Sequence, residues 1–443
     1  MNKLNLITKR MLFHLILFSI LLIFFVAILE ASSFAFYYFR YGVNRSDIIR
    51  TLYGAETKLI DKIKQVAIRD TTPEWMRDHV LHPYLGFVRN YDTKQHIFAG
   101  VVIDDTVNEF GFFGDAPAKD KPDNVISIAI MGGSVAVELF IYSRDTLLNE
   151  LKKHPRFSDK KIRIYSIALG GMKQPQQSLA LNYFLALGYF FDIVINIDGY
   201  NEAILPYSDN IRFGVFPFYP RSWRLYSTKS LSLQTVVVIG EIKKNRMDTE
   251  KWRSLISNSF LRNSNFILAL WYSYYKRKEN EEVRLENILT SFLQSKNILS
   301  AQERGPSYSF QERSQVVVDS VELWKRTSIQ MWKLCLANGI EFYHFLQPNQ
   351  YVIGSKELSE WEKKYAFADK TFLYRQGVEQ GYPLLMSEGK NLVKLGVPFV
   401  DMTRIFWNED RTIYKDAYCH YNQYGNDKIA KEIGNIIGKN ASR

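Results

Sequence analysis

At 443 residues and 47% hydrophobic, the chain is long enough for one large or two modest domains with a substantial core. Its formal charge of +11 comes from basic residues scattered among acids. Short pairs such as Lys152-Lys153, Lys160-Lys161 and Lys243-Lys244 read as solvated faces and exclude a concentrated nucleic-acid footprint. No zinc-finger spacing, glycine-rich nucleotide loop or carboxylate-rich metal signature occurs, so neither a metal nor a cofactor is expected. The two cysteines, Cys335 and Cys419, have no spacing that demands a disulfide, so the redox compartment stays open.

The chain opens with Lys3, Lys9 and Arg10, followed by an apolar run from Met11 to Leu29 broken only by His14 and Ser19. At about 1.5 Å per residue that run matches a bilayer core of roughly 30 Å. Aromatics from Phe34 to Phe39, closed by Arg40, suggest a belt at the far interface. The run exceeds a usual signal core and Ala31-Ser32-Ser33 is a poor cleavage site, so residues 1–40 are read as an uncleaved signal-anchor. Arg40, Arg45 and Arg50 flank the far side, but the charges nearest the span and the short N-terminus favour a single-pass protein with its N-terminus inside and its bulk outside the cytoplasm.

Residues 41–123 read as a linker helix (47–68), a turn at 71–74 and loops packing on a core that follows. An extended stretch covers 97–103, and Asn108-Glu109-Phe110-Gly111-Phe112-Phe113-Gly114 reads as a tight aromatic loop. The main domain is expected over 124–443. A strand at 124–130 stops at Gly132-Gly133-Ser134 and leads into a helix over 137–153. A second strand (161–168) breaks at Leu169-Gly170-Gly171, ahead of a helix over 175–187 with Pro175 in its first turn. A third strand (191–197) ends at Asp198-Gly199-Tyr200-Asn201. This alternation predicts an α/β fold with a mainly parallel sheet covered on both faces.

The pattern weakens over 203–313, read as a mostly helical, aromatic-rich lobe inserted beside the core. It resumes with a helix at 316–338, a strand at 342–346 and the loop Gln347-Pro348-Asn349-Gln350. Helices over 366–393 are expected to break near Gly381-Tyr382-Pro383, and Pro398 marks 397–400 as an edge strand. His420 lies in a loop before an amphipathic helix at 427–437.

The carboxyl ends of parallel strands share one sheet edge, where sites form. Ser134 at a helix start is either an N-cap or a nucleophile. His420 has the pKa and the two nitrogens needed to take its proton and be held in turn. The Ser134 N–H, a glycine-loop N–H and the Asn201 amide are suitable oxyanion donors. Each residue alone also has a structural reading, as a cap, a turn or a satisfied polar group. Together they supply the parts of an esterase. Gln347, Asn349 and Tyr200, at strand ends, are the candidates for substrate contact.

These blocks resemble the SGNH hydrolase superfamily, the GDSL-type esterases and their relatives, over about 80–201 and 314–440. Gly132-Gly133-Ser134 is similar to the nucleophile block, with glycine in place of aspartate. Gly170 or Gly171 stands where the second block supplies its oxyanion N–H, and Gly171 is the candidate carried here. Gly199-Tyr200-Asn201 matches the Gly-x-Asn block, and His420, with Asn422 and Gly425 after it, matches the last. The stretches 108–114 and 82–87 resemble loops preceding the nucleophile strand in bacterial members.

The departure is the acid: Ala417 stands three residues before His420, and Asp416 is one place further back. Either Asp416 reaches His420 through a different turn, or a Ser–His dyad works with a backbone carbonyl. The resemblance implies a flavodoxin-like three-layer α/β/α fold and a serine esterase without cofactor or metal. It implies acylated carbohydrate, with O-acetyl groups on cell-envelope or extracellular polysaccharide, or another ester as substrate, and the aromatic lobe as a glycan-facing wall. An O-acetyltransferase, or a non-catalytic glycan-binding or assembly protein of the same fold, is the alternative.

Overall fold

The computed structural model describes residues 2–53, 78–93, 96–98, 101–103, 105–120, 122–227, 233–294 and 301–440. In chain order the principal elements are helices α1 (Asn2–Tyr41) and α2 (Arg45–Tyr53), then strands β1 (His79–His82), β2 (Gly86–Arg89), β3 (His96–Phe98), β4 (Val101–Ile103) and β5 (Val125–Gly132). There follow α3 (Ser134–Leu151), β6 (Lys161–Ala168), α4 (Gln176–Ala186), β7 (Ile193–Asp198), α5 (Tyr200–Leu205), α6 (Leu233–Ser257) and α7 (Asn265–Gln294). The chain closes with α8 (Arg313–Ala337), β8 (Glu341–Leu346), α9 (Leu373–Lys394), β9 (Phe399–Asp401) and α10 (Gln423–Asn440). Of the linker helix expected over 47–68, the part to Tyr53 is α2; the rest, and the turn at 71–74, lie outside the described residues.

The elements form two compact units. One contains residues 1–71 and 230–298, the other 72–229 and 299–443. The lobe expected at 203–313 is therefore divided. Its flanks belong to the larger unit, and only 230–298 joins the N-terminal segment. The reason is an apolar cluster of Leu268, Trp271 and Tyr272 from α7 with Ile256 of α6, covered by Tyr37 of α1 and Ile48 and Leu52 of α2. Three separate strand-or-helix candidates at 231–242, 252–261 and 267–278 resolve into the two long helices α6 and α7.

Helix α1 is apolar and long enough to cross a membrane over Lys9–Tyr41, consistent with a single-pass topology. Its last turns also serve as packing surface. Tyr37 is fully buried, whereas Phe36, Tyr38 and Phe39 are exposed. The aromatic belt thus divides between a core residue and outward rings.

The larger unit holds a five-stranded sheet in the order β6-β5-β7-β8-β9. Every neighbouring pair is parallel. β7 is buried throughout, as a strand covered on both faces must be. α3 and α10 pack together in one layer, and α4, α8 and α9 in another. β9 begins just after Pro398 and occupies the sheet edge.

The break expected near Gly381-Tyr382-Pro383 does not occur, and α9 runs through Pro383. Tertiary packing outweighs the local signal here. A Cβ at Gly377 or Gly381 would lie 2.7 Å from Ile204 or Ala203, so the two glycines, one turn apart, let α9 approach α5 closely. Before the sheet, Asn108 braces the aromatic loop: its side-chain oxygen accepts from Phe110 N (3.0 Å), and its amide donates to Gly114 O (3.2 Å). Phe112 and Phe113 are buried by that turn.

Under the carboxyl edge of the sheet lies a buried polar knot. Asp198 Oδ1 meets Trp324 Nε1 and His344 Nε2, both at 2.7 Å, and His344 Nδ1 is 2.7 Å from Ser328 Oγ. Trp324→Phe keeps most of the volume but removes one donor from a buried carboxylate. The expected cost is about 1–3 kcal/mol, read as a lower denaturation midpoint with an unchanged far-ultraviolet spectrum.

Candidate active site

Ser134 is the first residue of α3, and Gly133, not Ser134, is the N-cap. Its hydroxyl is therefore not spent on capping the helix. It lies 2.8 Å from His420 Nε2, and His420 Nδ1 lies 2.5 Å from Asp416 Oδ2. The three residues form one hydrogen-bond chain across 286 positions of sequence.

The two preceding glycines make this geometry possible. A Cβ on Gly132 (φ +142°) would fall 2.1 Å from the carbonyl oxygen of Ile197 on β7. A Cβ on Gly133 would fall 2.3 Å from Asn201 Nδ2. Glycine at 133 thus leaves the space that the Asn201 amide occupies.

Asn201 donates to Met172 O at 2.8 Å and lines, with Ser134, Gly170 and Gly171, a cavity of about 370 Å³. Leu169 to Met172 form a turn closed by Met172 N donating to Leu169 O (3.0 Å), with φ +77° at Gly171. That is the type II pattern, which favours glycine at its third position. The first N–H groups of α3 have no acceptor within the helix, and the Asn201 amide lies against Gly133 at its N-cap. This corner offers a group of donors beside the serine hydroxyl.

Asp416 sits one residue further from His420 than in an Asp-x-x-His arrangement, and the loop absorbs the difference. Its Oδ1 accepts from Tyr418 N (2.8 Å), Cys419 N (3.2 Å) and His420 N (3.4 Å). The carboxylate folds its own loop with one oxygen and holds the imidazole with the other. Burial acts to raise the Asp416 pKa, but the His420 hydrogen bond and charge and the backbone donors outweigh it, and the carboxyl lies below its ordinary value. Burial likewise acts to lower His420. The Asp416 bond and the negative charges of Glu138 and Asp416 prevail, so its pKa is raised above 6.5. A histidine raised on folding contributes stability below its unfolded pKa, and that contribution is lost as pH rises through the folded value.

The other candidates separate. Tyr200 is buried, lines the cavity, and its hydroxyl has no hydrogen-bond partner among the described residues. Gln347 and Asn349 are not among the residues that line it. Asn349 is fully buried. It donates to Tyr418 O (2.9 Å) and accepts from Tyr351 N (3.0 Å). Gln350 donates to Asp416 O (2.9 Å), and the Tyr351 hydroxyl to Ala417 O (2.8 Å). The loop after β8 therefore supports the 416–420 loop. Gln347 is buried too, its backbone bonded to Asp198 O (3.0 Å) and Tyr382 Oη (3.2 Å).

Several residues at the site carry no sequence signal of their own. Arg221 extends over Gly171, where a Cβ would be 2.5 Å from Arg221 Cδ, and its Nε is 2.5 Å from Asp209 Oδ2. Lys173 holds the same segment by donating to Pro217 O (2.9 Å) and Tyr219 O, and burial pushes its amine down to about 7. Glu202 ties two strand-end loops together, accepting from Gly199 N and Gln174 N at 2.9 Å each. Burial and then the charge of Asp198 push its carboxyl up to about 8 against those donors. Glu138, one turn after Ser134, is buried against Lys415 Nζ at 2.8 Å. Its i, i+4 spacing from Ser134 was the one signal available for finding it.

The aromatic rings in the cavity are Phe98, Tyr200, Tyr374 and Tyr418; the 203–313 segment contributes Ile204, Leu205 and Arg221 instead. The expected aromatic wall from that lobe is thus not what lines the site. Cys419 lies 4.0 Å from Ser134 Oγ. Burial holds its thiol well above the ordinary range, so it is protonated at neutral pH and a poor competitor as nucleophile. Both cysteines are free and buried. Among the described residues no cluster of His, Cys, Asp or Glu has the form of a metal site.

A hydroxyl, a base that can take its proton, a carboxylate that orients the base, and nearby N–H donors can together perform nucleophilic acyl transfer. No protein-family model matches the chain, and no curated protein matches it.

Asp416→Asn removes the charge that holds His420 up. The His420 titration, followed by the imidazole proton resonances, is expected to move to lower pH than in the unsubstituted chain. An unchanged midpoint would show that Asp416 does not govern the base.

Proposed function

We propose that the chain is a membrane-anchored serine esterase of the SGNH type. The observation that carries this reading is the Ser134–His420–Asp416 chain, with contacts of 2.8 and 2.5 Å, at the wall of a cavity. His420 Nε2 takes the Ser134 proton as Oγ attacks an ester carbonyl. The imidazolium that forms is stabilised by Asp416. The oxyanion is received by the Ser134 N–H, the Gly171 N–H and the Asn201 amide. His420 returns the proton to the departing alcohol, leaving an acyl-serine, and the same histidine then activates the water that releases the acid.

Acylated carbohydrate of the cell envelope or of extracellular polysaccharide is the substrate class, with O-acetyl the acyl group. The cavity, about 370 Å³, is larger than an acetyl group needs, so it has room for part of the alcohol moiety. Its aromatic rings offer apolar faces for a sugar, and the Tyr200 hydroxyl and Arg221 offer polar contacts. An extracytoplasmic domain tethered by α1 would meet such substrates at the membrane surface. The raised His420 pKa sets the sign of the pH dependence: kcat/KM rises with pH as the imidazole loses its proton, with a midpoint above 6.5.

The test is labelling by a serine-reactive phosphonate together with turnover of acetylated glycan by the full chain in detergent. Ser134→Ala is expected to abolish labelling and lower kcat by about four or more orders of magnitude. Asp416→Ala is expected to cost at least about 10²-fold. Equal labelling and turnover in the Ser134→Ala protein would overturn the reading, and full activity in Asp416→Ala would reduce the site to a dyad. Product analysis with a glycan acceptor separates hydrolysis from acyl transfer.

A further inference from the structure

Within the helical unit, the turn between α6 and α7 is tied to a specific depth on the membrane helix. Glu30 is the first ionisable residue after the apolar run Met11–Leu29. Its carboxylate receives the Ser264 hydroxyl and the Asn265 backbone N–H, the start of α7. A carboxylate is favoured there, because it meets the positive end of a helix dipole. Further along α1, Tyr37 Oη is 3.4 Å from Asn265 Oδ1, and the Tyr41 ring stacks edge-on with Tyr272 at 5.4 Å. Between Glu30 and Tyr41 α1 advances about 16 Å, and between Asn265 and Tyr272 α7 advances about 10 Å, at 1.5 Å per residue. The two helices therefore climb together, and the 258–264 turn lies at the end nearest the apolar span.

That turn carries an unusual side chain for water. Phe260 is 83% exposed, and Trp252 and Leu255, on the α6 turns leading to it, are about half exposed. Beside them Arg262 donates to Ser257 O (3.2 Å) and approaches the Tyr53 hydroxyl. An aromatic ring with a neighbouring guanidinium is the composition of a lipid interface, where the ring enters the acyl boundary and the cation stays among headgroups. We propose that the 258–264 turn is a second membrane contact, inserting Phe260 tip-first into the headgroup–acyl boundary beside α1. The helical unit is then held upright on the bilayer by two points rather than by one flexible tether.

The test uses the full chain reconstituted in phosphatidylcholine vesicles, with single cysteines introduced as Phe260→Cys, Met247→Cys or Phe18→Cys and labelled with an environment-sensitive fluorophore. Cys335 and Cys419 are buried, and the unsubstituted chain serves as the labelling blank. Lipids with a nitroxide near the headgroup are expected to quench the label at 260 several-fold more than the label at 247. Residue 247 lies about 15 Å further up α6 from its end. Lipids with a nitroxide deep in the acyl chain are expected to quench the label at 18. Quenching at 18 but not at 260 would overturn the proposal while leaving α1 in the membrane. Equal quenching at 247 and 260 would also overturn it, because the hairpin would lie flat. A label at 260 reached by neither lipid nitroxide nor aqueous iodide would overturn it too, because protein, such as a second copy, would then cover the turn. Loss of quenching at 18 would remove the membrane span on which the inference rests.

Discussion

The site depends on a single carboxylate that acts in two directions. Asp416 Oδ1 gathers the N–H groups of Tyr418, Cys419 and His420, and Oδ2 holds His420 Nδ1. The first set of bonds folds the loop, and the fold of the loop sets where the second bond points. A spacing of four residues instead of three works because the intervening peptides curl around the acceptor rather than run past it. The loop is then fixed from outside. Asn349, Gln350 and Tyr351 each donate to a carbonyl between Asp416 and Tyr418, and the Tyr421 hydroxyl donates to Pro348 O at 2.6 Å. An imidazole held on both sides has little orientational freedom left to lose, the condition under which positioned groups are most effective.

The sheet supplies the other half. Its order places β5, the strand of the sheet that comes first in the chain, between β6 and β7, so the strand order reverses there, and ligands of open parallel sheets collect at such points. Ser134 leaves β5, Gly170 and Gly171 leave β6, and Asn201 follows β7, so three adjacent strand ends converge on one corner. The convergence requires close main-chain approach, and Gly132 against the Ile197 carbonyl is where that requirement is strictest. Any side chain there would force β5 from β7 and carry the helix start, with Ser134, away from Asn201.

The parallel sheet, its edge strand and the placement of Ser134, Asn201 and His420 were legible because each is marked locally: an apolar run, a glycine stop, a helix start. Asp416 was visible as a residue but not as a contact, since its reach depends on a loop conformation that spacing does not encode. Gln347 and Asn349 lie off the cavity lining, and spacing could not have placed them. A polar loop after a strand resembles a ligand site whether its amides face a cavity or a neighbouring loop. Arg221, Lys173 and Glu202 are set by tertiary packing from separate segments and leave no pattern. The division of the 203–313 lobe was hidden likewise, because the apolar faces of α6 and α7 are covered by Tyr37, Ile48 and Leu52 from the far end of the chain.

Two Ser–His–Asp sets occur among the described residues of the larger unit, and they differ in what surrounds them. Ser328, His344 and Asp198 approach one another at 2.7 Å, as closely as Ser134, His420 and Asp416. Ser328 and His344 are fully buried and Asp198 nearly so, with Trp324 and Asn196 filling the remaining sites on the Asp198 carboxylate. No ester can reach that serine, and no charge can develop there without a large desolvation cost. His420 and Asp416 keep 16% and 29% of their side-chain surface, and Ser134 borders a cavity. The difference lies in access and in the donors of the Gly171–Asn201 corner, which the buried set lacks. Hydrogen-bond distances alone would rank the two sets equally; the cavity and its N–H groups make Ser134 the residue on which a reaction can be built.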